Sequence, residues 1–138
     1  MRFLFFLFAS VLLLGCAENQ PKSYRTQTNI GELTISVELL ASHPFLDEHD
    51  KRVNIKKGGE HLVSFSAPDT GGFSSIYVFE DGGQLLVVDG LANGKAIDQS
   101  SGVVSEIDPD KIPWDIPERS LGQFSFVEGA VGYKWVAH

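Results

Sequence analysis

The 138-residue chain has one cysteine, Cys16, and one methionine, Met1. No disulfide can form within it, so any fold rests on apolar burial alone. No apolar run reaches the roughly 18–20 residues that a membrane-spanning helix needs. The longest is Phe3–Leu14, broken once by Ser10. Beyond it, no stretch shows an apolar stripe at helical spacing. The chain also lacks a G-x-S-x-G nucleophile elbow, a Gly-rich phosphate loop leading into a helix, an H-E-x-x-H pair and a C-x-x-C pair. Common hydrolase, nucleotide-binding and zinc-protease readings therefore lose their usual support. Cations are scarce: 11 Lys and Arg stand against 18 Asp and Glu, a formal net charge of −7. Such a surface repels nucleic acid and anionic head groups. No nucleic-acid partner, cofactor or metal is expected, and no internal repeat is evident.

The N-terminus is more specific. Arg2 supplies a positive start, Phe3–Leu14 an apolar core of signal-peptide length, and Gly15 a small residue before Cys16. Leu13-Leu14-Gly15-Cys16 resembles the lipobox of bacterial lipoproteins. The resemblance covers only this leader. It implies a signal peptide over residues 1–15, cleavage before Cys16, and acylation of the Cys16 thiol. Two or more acyl chains hold a protein firmly on a bilayer. Ala17, rather than Asp, follows the cysteine, which by the same resemblance favours the outer membrane where the source has two. Lipidation also explains a lone cysteine in an exported chain.

Residues 16–29 are polar and read as a flexible tether, leaving 30–138 as one domain. Leu33, Ile35, Val37 and Leu39 alternate with polar residues as a half-buried strand does. Further strands are expected at 52–56, 63–67, 73–80, 85–88, 95–99, 103–107, 121–128 and 130–137. Leu85–Val88 is apolar throughout and reads as a central strand covered on both faces. Turn signals such as Gly58-Gly59 and Asp81-Gly82-Gly83 separate the strands. Residues 108–118 hold three prolines and no period, as in a loop crossing the surface. The expected fold is all-β: a small antiparallel sandwich, barrel or curled meander of about eight strands.

Charge is uneven. Residues 17–67 hold six cations and seven anions, and residues 68–138 four and eleven. Lys51, Arg52, Lys56 and Lys57 form a basic cluster that reads as protection of an exposed sheet edge.

Three constellations could carry chemistry. Asp69-Thr70-Gly71 resembles the active-site loop of aspartic peptidases, where two carboxylates share a proton. Here Pro68 and Gly72 replace the usual flanking residues, and a single copy would demand a homodimer. The plain alternative is a turn in which Asp69 caps its own backbone. His43, Asp47, Glu48, His49 and Asp50 offer metal-ligand types, but their spacing matches no ligand signature, and a solvated turn explains them. Trp114 lies in the Pro-rich loop. Phe124, Phe126, Tyr133 and Trp135 recur at period two, as cross-strand core pairs do.

The leading expectation is a lipid-anchored envelope protein whose β-domain binds or scaffolds an envelope protein or glycan without catalysis. Its expected contact surface is the acidic C-terminal half around Trp114, Asp110 and Asp115. One alternative is a hydrolytic or metal-dependent enzyme using Asp69 or the His43–Asp50 cluster. Another is a periplasmic inhibitor or immunity-type protein.

Overall fold

The computed structural model describes residues 24–41, 49–69, 75–113, 115–126 and 133–138. Among them the chain is all-β, with ten strands in two open antiparallel sheets. The first sheet is a meander of β1 (Tyr24–Ile30), β2 (Leu33–Ala41), β3 (His49–Lys57) and β4 (Glu60–Ala67), in that order. The second comprises β5 (Ile76–Asp81), β6 (Gln84–Asp89), β7 (Gly94–Asp98), β8 (Val104–Glu106), β9 (Gly122–Phe126) and β10 (Tyr133–Ala137). Its order is β10-β9-β5-β6-β7-β8. Of the three expected architectures, the sandwich is the one formed. Among the described residues no helix is long and apolar enough to cross a membrane.

Alternation builds the core. Leu33, Ile35, Val37, Leu39, Val53 and Ile55 face Ile76, Val78, Leu85, Val87, Ile97 and Phe124, all buried in one cluster drawn from both sheets. The intervening residues Phe79, Leu86, Val88 and Ala96 point to the other face of the second sheet. They form a second cluster with Ile112, against which Ile107 packs. β5 and β6 are thus covered on both faces, and the Pro-rich segment supplies the outer cover. Burying a side chain such as Ile112 stabilises by about 1.5–3 kcal/mol, enough to hold this segment on the sheet.

The turns follow from glycine. Gly82 and Gly83, with φ of 55° and 82°, make the two-residue reversal between β5 and β6. Paired positive φ values match the right-handed twist of the flanking strands.

Three expectations are corrected. Residues 24–29, read as tether, belong to β1. Its half-buried Tyr24, Thr26, Thr28 and Ile30 alternate with exposed Arg25, Gln27 and Asn29. Polar β-branched residues suffice at a sheet edge, so the strand carries almost no hydropathy signal. The second strand starts at His49 rather than Arg52. The basic cluster protects no edge either, because β3 lies between β2 and β4. Lys51 is 1% exposed and points into the core. Lys57 donates to the Gln99 carbonyl at 2.9 Å and to the Ser100 carbonyl.

Candidate functional site

The segment after β8 builds a cleft on the outer face of the second sheet. Asp108 accepts the Asp110 N–H at 3.0 Å and, with Pro109 behind it, starts a single 3₁₀ turn over Pro109–Lys111. An acidic cap followed by proline is a standard opening for such a turn. The turn buries Ile112 on the sheet and leaves Asp110 exposed. A short helix, Ile116–Arg119, follows, with exposed Asp115 immediately before it.

Together these elements enclose about 530 Å³. The floor is Phe79, Leu86 and Ile112. Four carboxylates line the site (Glu80, Asp81, Asp110 and Asp115), against two cations, Lys111 and Arg119. The arrangement joins an apolar base to an acidic rim, which suits an apolar side chain flanked by positive charge. Asp110 and Asp115, singled out in the sequence, therefore share one cleft. Trp114 lies outside the described residues. Glu80 and Asp81 escaped the sequence reading because they come from the end of β5, which only the fold brings beside the loop; Arg119 adjoins the loop in sequence but carried no motif.

A second polar constellation lies at one end of the sandwich, between the sheets. It unites two groups that the sequence keeps apart. Asp69 Oδ2 accepts the His49 N–H at 2.9 Å, and the Asp69 N–H donates to Asp50 Oδ1 at 3.2 Å. The cause is local. The β3–β4 ladder reaches Lys51 and Ala67, and the next residue on β4's side is Pro68, which has no N–H to offer. The two carboxylates continue the pairing in place of main-chain groups. Asp69 thus caps the neighbouring strand; the turn that it was also expected to cap lies outside the described residues. Residues 43–48 and 70–74 lie outside the described residues.

Lys51 enters the same space from β3. Its Nζ is buried, with no hydrogen-bond partner among the described residues. Burial lowers its pKa from the ordinary 10.5, while the charges of Asp69, Asp89 and Asp50 work the other way. Asp89, on the opposite sheet, is itself buried and accepts the Leu91 and Asn93 N–H groups at 2.8 and 2.9 Å. Tyr133 is buried beside this cluster, and burial raises its phenol above the usual range. Among the described residues no group of three or more His, Cys, Asp or Glu is placed to hold a metal ion.

The aromatic residues pair across β9 and β10 as their spacing implies. Phe124 packs on Trp135 with ring centroids 4.9 Å apart, and Phe126 meets Tyr133 edge-on at 5.2 Å. Phe126 remains 49% exposed.

Compared with protein-family models, curated proteins and solved structures, the chain matches none.

Proposed function

We propose that this protein is a lipid-anchored envelope component whose sandwich binds a partner, without catalysis, through the cleft beside Asp110 and Asp115. The observation that carries the reading is the convergence of those two carboxylates on one cleft with an apolar floor. The anchor rests on Leu13-Leu14-Gly15-Cys16 and the signal-like residues before it. From Cys16 to Tyr24 the chain spans at most about 28 Å. The domain is then held close to the bilayer by its first strand, and it needs no lipid-binding surface of its own. In an envelope with two membranes, Ala17 favours the outer one.

The partner class is an envelope protein or glycan bearing positive charge next to an apolar group. A photoreactive residue in place of Trp114 tests this in the intact envelope. The expected result is a discrete adduct that weakens when Asp110 and Asp115 are both changed to Lys. Exposed charge pairs are screened over about 10 Å at 0.1 M salt, so the adduct should also fade as salt rises. An adduct indifferent to both changes contradicts the reading. Capture of one protein alone, with strong salt dependence, would favour an inhibitor or immunity role at the same surface.

The enzyme alternative draws on one specific observation, the meeting of Asp69, Asp50 and His49. These bonds of Asp69 hold main chain together, and neither Asp69 nor Asp50 lines the cleft. Activity lost in D69N while the fold is retained would revive that reading.

A further inference from the structure

Lys51 occupies an inward position of an interior strand, in register with Leu39 on one side and Ala67 on the other. Both neighbours are wholly buried. An aliphatic residue would fill such a position without electrostatic cost. A buried ammonium costs several kcal/mol of desolvation unless charge nearby offsets it. Three carboxylates act on it: Asp50 and Asp69 from the first sheet, and Asp89 from the second. The main-chain bonds those carboxylates accept hold their positions. The offset therefore depends on their charge and not on direct contact with Nζ.

We propose that this end of the sandwich is an acid-sensitive switch, in which Lys51 is tolerated between the sheets only while Asp50, Asp69 and Asp89 are ionised. Protonating the carboxylates leaves an unmatched ammonium inside, and the end opens to hydrate it. Among the described residues, the other titratable groups at this end are Tyr24, His49, Tyr77 and Tyr133. Opening separates β3 from β6 and uncovers the Phe126–Tyr133 pair. The opposite end is built otherwise. There Asp98 accepts hydrogen bonds from the main chain and hydroxyls of Ser100 and Ser101. These bonds hold its carboxyl well below the usual range, so that end keeps its charge in acid.

Amide hydrogen exchange on the full domain, corrected for intrinsic rates, reads the two ends separately. The reporters are the N–H groups of His49 and Asp89 at the Lys51 end, and of Asp98 and Gly102 at the far end. Between about pH 6 and about pH 3, protection at the first pair should fall more than about tenfold while the second pair holds. K51M should abolish the difference. D69N keeps an acceptor for the His49 N–H but removes the charge, so it should loosen the Lys51 end already at neutral pH. Loss of protection at both ends together, an unchanged acid response in K51M, or full protection in D69N at neutral pH would each overturn the proposal.

Discussion

A lysine that reads as surface is the residue about which this fold is most unusual. In sequence, Lys51 joins Arg52, Lys56 and Lys57 in a charged run, and charge suggests solvent. Parity says otherwise, since 51, 53 and 55 share a face, and Val53 and Ile55 are core. Composition concealed what period two would have shown. Burial lowers the native pKa of Lys51 below 10.5. The unfolded chain therefore binds more protons between the lowered value and 10.5, and wild-type stability rises with pH across that interval. K51M lacks this slope. Near neutrality its urea midpoint should exceed that of the wild type, because the ammonium's desolvation is removed while Asp69 and Asp89 keep their main-chain bonds. The gap should narrow as pH approaches 10.5. A gap that does not change with pH would contradict the burial of a charged Lys51.

At the scale of elements, apolar alternation made most strands legible. β2, β5 and β6 carry Val, Leu and Ile at period two or without a break, and they form the centre of the molecule. β1 was hidden because its inward positions include Thr26 and Thr28, which pack at an edge without apolar signal. The Pro-rich segment was legible as a surface crossing. Its role as a lid on Phe79, Leu86 and Val88 was not, because Ile107 and Ile112 show no period of their own. Replacing Ile112 by Ala should cost about 2–4 kcal/mol and weaken the position-114 adduct, since the cleft loses its floor. Stability loss with an unchanged adduct would separate the lid from binding. β9 and β10 make a tighter demand. A Cβ on Gly122 would stand 2.4 Å from a Trp135 ring carbon and 2.5 Å from the Val136 carbonyl oxygen. G122A should destabilise by about 1–3 kcal/mol, seen as a lower denaturation midpoint. A midpoint equal to that of the wild type would mean that Trp135 moves freely away.

For the whole molecule, charge and strand order set the geometry. The two sheets share one core, but the acidic cleft lies on the outer face of the second sheet only. Tyr24, where the described chain begins, stands at the same end as Lys51, because Tyr24 pairs with Leu39 and Leu39 with Lys51. The anchor proposed at Cys16 would bring the Lys51 end towards the bilayer and leave the cleft on a flank. This division was only half legible in the sequence. The all-β class was readable from local pattern. The meeting of Asp69 with His49, and the sharing of one cleft by Glu80 and Asp110, depend on strand order and had no local signature.

The placement in the envelope is tested most directly by the intact mass of the chain extracted from membranes of its native host. A polypeptide starting at Cys16 and carrying the added mass of acyl groups is the predicted result. A chain that retains residues 1–15, or one whose Cys16 thiol is free and alkylatable, would contradict it.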